Sequence, residues 1–146
     1  MPTQEIQETA VPDAQELSHR YASVWNEPDA ERRRQLIGEL WAEDGVQLLQ
    51  PPEAVVATAS ALGVTPTFEV RGHAALQNRV TRAYEEFVAP GEHVFRTRPD
   101  AVALAGVVKF RWEMVSLADG EPVGGGLEFL VLDGDGRIRT DYQFIG

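Results

Sequence analysis

Two carboxylates near the C-terminal end of the chain, Glu128 and Asp141, are placed to do proton chemistry together. The segment between them carries a Gly134-Asp135-Gly136 turn signal flanked by alternating residues, the pattern of a β-hairpin. If the hairpin turns at Gly134-Asp135, Glu128 lies directly across from Asp141 on one face of the sheet. Two carboxylates that close in an apolar chamber do not both ionise. One is held neutral as a hydrogen-bond or proton donor, and the other stays charged as a base. The same alternation has a second reading: Arg137 and Arg139 share that face, which then points to water, with Ile138, Tyr142 and Phe144 forming the core side. Bulges at Gly124 to Gly126 would shift the register, so both readings stay open.

The elements that would carry this pair can be read along the chain. Residues 1–12 form a polar leading segment closed by Pro12. A first helix is expected from an N-cap at Asp13 to Asn26, with Leu17, Tyr21, Val24 and Trp25 on one face. Glu27-Pro28-Asp29 ends it, and Asp29 caps a second helix over about 30–41, whose apolar side is Leu36, Ile37, Leu40 and Trp41; Glu31 to Arg34 are assigned to solvent. A strand over 46–50 stops at Pro51-Pro52, and 53–67 reads as an inserted helical turn and loop. A short strand at 68–70 precedes a third long helix over about 73–88, stopped by Ala89-Pro90-Gly91. Strands follow at about 93–98, 102–116, 122–132 and 137–145. Helices first and an antiparallel meander after them give an α+β domain spanning 13–146: a cone-shaped barrel of three N-terminal helices on a curved, mostly antiparallel sheet. Trp25, Trp41, Phe95, Phe110 and Trp112 belong to its core or to the wall of a pocket.

Composition narrows the function. A net charge of −10 over 146 residues excludes nucleic acid and anionic membrane surfaces as expected partners, because both need clustered Lys and Arg. There is no cysteine, hence no disulfide or thiol nucleophile. The three histidines lack metal-ligand spacing, and no metal or cofactor is expected. Glycine-rich phosphate loops and the GxSxG elbow are absent. The opening residues lack a signal-peptide pattern, which makes the cytoplasm the default location, and twelve arginines against one lysine (Lys109) point to a GC-rich bacterial genome.

With RYASVWN in the first helix, LWAEDG after the second and GRIRTDYQFIG at the end, residues 13–146 resemble the SnoaL-like branch of the nuclear-transport-factor-2-like superfamily, which includes ketosteroid isomerase and polyketide cyclases. The resemblance implies a cone that holds a small, largely apolar molecule, polyketide-like or terpenoid, and a homodimer formed through the outer sheet face, where Lys109, Arg111 and Glu113 alternate. It puts Tyr21 at the oxyanion-hole tyrosine of the isomerase and Glu128 at or next to its second acid. Gln50, before Pro51, stands where the isomerase has its basic aspartate, and an amide does not shuttle a proton. Asp141 and Gln143 occupy the cyclases' last-strand positions. The expected roles follow: Asp141 transfers a proton, Tyr21 and Glu128 stabilise negative charge, and Gln50 and Gln143 orient the substrate in an isomerisation, cyclisation, dehydration or hydrolysis. The alternative is a non-catalytic carrier or sensor, or a structural dimerisation domain.

Overall fold

The computed structural model describes residues 13–146; the leading segment expected at 1–12 lies outside the described residues. Helix α1 is Ala14–Asn26, and Asp13 caps it by accepting from the backbone N–H of Gln15 and Glu16 at 2.9 and 3.1 Å. Asp29 does the same for α2, Ala30–Leu40. Both boundaries are local chemistry: a short acceptor side chain satisfies amides that the first turn leaves unpaired. Strand β1 (Trp41–Leu49) begins as α2 ends, five residues earlier than expected. The inserted segment is a helix, α3 (Glu53–Ala61), and leads to β2 (Phe68–Arg71). Helix α4 (His73–Ala83) runs on into a π-helical turn, Tyr84–Val88, closed by the Ala89 N–H donating to the Tyr84 carbonyl at 2.8 Å.

The strands after it are β3 (His93–Thr97), β4 (Val102–Leu104), β5 (Val107–Ser116), β6 (Pro122–Leu132) and β7 (Ile138–Ile145). The long strand expected over 102–116 is thus two, folded back on itself at Ala105-Gly106, both of which have positive φ. The seven strands form one sheet ordered β2-β1-β7-β6-β5-β3, with β4 also on β5; among the described residues only the β1–β7 pair is parallel. The α+β cone of helices on a mixed, mostly antiparallel sheet is therefore the observed architecture.

The core lies where α1, α2 and α4 meet the inner sheet face. Leu17 and Val24, Ile37 and Leu40, Leu76 and Val80 come from the helices; Val108, Phe110, Leu130 and Ile138 come from the strands. Of the aromatic residues read as core or pocket wall, and offered as substrate contacts, Trp41 and Phe110 are fully buried in this core and do not line the cavity described below. One sequence assignment changes here. Arg33, assigned to solvent, is 5% exposed: its Nη1 donates to the Glu27 carbonyl at 2.6 Å, and its guanidinium lies 4.7 Å from the centre of the Tyr84 ring.

Candidate functional site

Two rungs on the same face of the sheet hold the polar residues. Gln47 of β1 pairs with Asp141 of β7, which pairs with Leu130 of β6; two rungs on, Leu49 pairs with Gln143, which pairs with Glu128. The expected face-to-face pairing of Glu128 with Asp141 is corrected: Glu128 stands across from Gln143 and reaches Asp141 on the diagonal. The two sequence readings of β7 also resolve. Val131 pairs with Thr140 but Leu132 with Ile138, so Arg139 is an extra residue that bulges out of the ladder. Before the bulge Ile138 faces inward; after it Asp141 and Gln143 do, while Tyr142 and Phe144 are 40% and 45% exposed. Each reading holds for one half of the strand.

The inward side chains form a hydrogen-bond chain that runs from Tyr21 to Glu128. The Tyr21 hydroxyl, from α1, donates to Asp141 Oδ2 at 2.6 Å, and Gln47 Nε2 donates to the same oxygen at 3.1 Å. Gln143 Nε2 donates to Glu128 Oε1 at 2.8 Å. Arg79 of α4 donates from Nε to Gln47 Oε1 at 3.4 Å and from Nη2 to Gln143 Oε1 at 3.2 Å. Because Arg79 takes both amide oxygens, both amide NH₂ groups must turn to the carboxyls. Two oxygens then remain without a donor among the described residues, Glu128 Oε2 and Asp141 Oδ1, each buried. One proton on Glu128, donated to Asp141, satisfies both and leaves one negative charge opposite Arg79.

The electrostatics favour that arrangement. Burial, then the neighbouring Asp141 charge, holds the Glu128 carboxyl well above the usual carboxylate range. Asp141 is raised as well, by burial, against the opposing hydrogen bonds from Glu128, Tyr21 and Gln47 and the charge of Arg79. Burial, followed by the two acids, pushes the Tyr21 phenol far above its ordinary value, so it remains a donor.

Beside this chain opens a cavity of about 310 Å³. Its aromatic wall is a run of edge-to-face contacts: Trp25 on Phe95 at 6.4 Å, Phe87 on Phe95 at 6.3 Å and Phe95 on Trp112 at 5.9 Å. Asn26 fixes the wall by bonding both backbone groups of Phe95 at 2.6 and 2.9 Å. Tyr21, Arg79 and Gln143 bring the polar chain to the surface of the cavity; Glu128 and Asp141 are fully buried behind them. The Trp25 and Trp112 indole N–H groups are buried without an acceptor among the described residues. Opposite the helices, Gly124 and Gly125 line the cavity without side chains.

Of the residues read from the sequence, Tyr21, Trp25, Phe95, Trp112 and Gln143 line the cavity, and Glu128 and Asp141 back it. Gln50 is not there: it is exposed, and its Oε1 accepts from the Ile145 backbone N–H at 2.9 Å. Gln47, three residues earlier, holds the inward position on β1. Arg79 and Asn26 also escape a reading from sequence. An arginine facing a pocket from a helix looks, in sequence, like any solvated arginine, whereas an inward glutamine in a strand bounded by Trp41 and Pro51 is visible as a break in an apolar run.

No family model and no curated protein matches this sequence. Solved structures do. A SnoaL-like-family structure from Agrobacterium tumefaciens is 24% identical, covers 91% of this chain and 97% of its own, and superposes with a TM-score of 0.72. A nuclear-transport-factor-2-like protein of unknown function from Exiguobacterium is 17% identical over 87% of this chain and 95% of its own, at 0.59. A phenazine biosynthesis-related protein from Pseudomonas aeruginosa is 19% identical over 92% and 84%, at 0.52. The chain thus has the cone fold shared by SnoaL-like and nuclear-transport-factor-2-like structures.

Proposed function

We propose that this chain binds a small, largely apolar metabolite bearing hydrogen-bond acceptors, and acts on it by cofactor-independent acid/base chemistry. The observation that carries the reading is a buried carboxyl pair, each with one oxygen lacking a donor, linked through the Tyr21 hydroxyl to the wall of an aromatic cavity. The volume, about 310 Å³, sits at the lower end of small-molecule sites, roughly 300–1,000 Å³. Four aromatic walls suit a flat apolar body, and the unpartnered Trp25 and Trp112 N–H groups suit carbonyl or hydroxyl oxygens on it.

In this reading the Tyr21 hydroxyl turns its one hydrogen, given to Asp141 in the structure, to a substrate oxygen that gains negative charge as the substrate reacts. Asp141 takes or returns the proton through Tyr21, Glu128 stores the neutral partner's proton, and Gln143 and Arg79 orient the substrate. Gln47 takes the positioning role first given to Gln50. Isomerisation, cyclisation, dehydration and hydrolysis all fit this machinery. A homodimer through the outer sheet face belongs to the same reading, supported by the exposed Tyr142 and Phe144 there.

A second reading, a carrier without turnover, is favoured by one fact: neither carboxyl touches the cavity. The two separate experimentally. Protein incubated with cell extract and examined by native mass spectrometry identifies the retained compound, whose conversion is then followed against pH for the unaltered chain and Asp141→Asn. A fall in turnover of about 10²–10⁴-fold, with loss of the pH dependence, supports the enzyme. Unchanged turnover in Asp141→Asn removes Asp141 from the mechanism, and retention without conversion at any pH selects the carrier.

A further inference from the structure

We propose that a second cleft, between α2 and α4, is a binding site for a small oxyanion anchored by Arg33. The cleft has a volume of about 270 Å³ and shares no lining residue with the aromatic cavity. α4 serves both: Arg79 and Ala83 line the cavity, Gln77, Asn78 and Thr81 the cleft.

The argument rests on an uncompensated charge. Arg33 is 5% exposed, and among the described residues no carboxylate pairs with it. A buried guanidinium is ordinarily paired, because removing it from water without a counter-charge costs several kcal/mol or more. Its fold-holding role uses one corner only: Nη1 donates to the Glu27 carbonyl, and the plane rests on Tyr84 in the π-helical turn. Nε is buried with no acceptor, and Nη1 alone of the guanidinium nitrogens makes a hydrogen bond among the described residues. Nε and Nη2 form the edge of the fork that receives two oxygens of a carboxylate or phosphate side by side.

The surroundings match an anion with further acceptor oxygens. Gln77, Asn78 and Thr81 offer amide and hydroxyl donors along the opposite wall. At the rim Arg34 pairs with Glu31, so the one acidic group lining the cleft is already neutralised. On a chain of net charge −10, an unpaired buried cation fenced by neutral donors is a selective feature rather than part of a general basic surface.

Isothermal titration of the intact chain with inorganic phosphate and, separately, with acetate, at ionic strength held constant with sodium chloride, tests this. Saturable binding of one anion per chain is expected, and whichever of the two binds tighter identifies phosphate or carboxylate as the group recognised. Thr81→Val and Asn78→Ala each weaken binding about ten-fold, the loss of one hydrogen bond to a charged group. Arg33→Gln abolishes it. Binding of neither anion, or an affinity unchanged in Thr81→Val and Asn78→Ala, overturns the proposal even if Arg33→Gln fails to fold. Binding that survives in folded Arg33→Gln overturns it as well.

Discussion

Replacing Glu128 with Gln puts an amide where a neutral carboxyl stands, and the effect on stability should vary with pH in a way that counts protons. The hydrogen-bond inventory leaves one gap between two buried oxygens, so one proton is at stake. Glu128 is raised in the folded state, chiefly by burial. An unfolded chain loses that proton near the ordinary glutamate value of about 4.3. Above that pH the folded protein holds one proton more than the unfolded one. Stability from this group is therefore complete below about pH 4.3 and drains away as pH rises toward the folded pKa, at about 1.4 kcal/mol per pH unit. The substituted amide has nothing to release, and its NH₂ group can donate to Asp141 as the protonated acid does. The stability of the native chain minus that of Glu128→Gln should then fall with the same slope, giving about 2.7 kcal/mol between pH 5 and 7 if the folded pKa lies above that range. Urea unfolding at half-unit pH steps, with unchanged m-values, measures it. A flat difference from pH 5 to 7 would mean that Glu128 is ionised in the fold, and the shared proton with its relay would have to be abandoned.

Two further outcomes follow from the geometry. Tyr21→Phe leaves Asp141 Oδ2 with Gln47 as its one remaining donor, and a loss of about 1–3 kcal/mol is expected in urea unfolding at neutral pH. Gly126→Ala would drive a Cβ into the Phe144 carbonyl oxygen, which β7 can relieve only by moving away; a loss of about 3 kcal/mol or more is expected, against little change for Gly124→Ala, whose Cβ meets nothing within 4 Å. Equal stability of the two alanine variants would refute the close approach of β6 and β7.

What the sequence disclosed divides by range. The caps at Asp13 and Asp29 and the inward stripe Leu17, Tyr21, Val24 and Trp25 were readable because a helix is specified by residues within a turn or two of one another. Strand faces were harder. Period-two alternation fixes which residues travel together but not which set turns inward, and one inserted residue exchanges them. Arg139 does this in β7; in β1 the resemblance places Gln50 by its proline neighbour, but Gln50 stands an odd number of residues from the inward-facing Gln47 and so falls off the site face. Arg79 was invisible for another reason: its partners, Gln47 and Gln143, are 32 and 64 residues away.

The bulge at Arg139 decides more than the direction of two side chains. Were Arg139 drawn into the ladder instead of bulging from it, the far half of β7 would present its other edge: Asp141 and Gln143 to solvent, Tyr142 and Phe144 to the interior. Two bulky rings would then occupy the hollow that the acid and the amide now border. On this scaffold a vessel and a solid plug are separated by the length of a single peptide unit, the one that Arg139 takes out of the ladder.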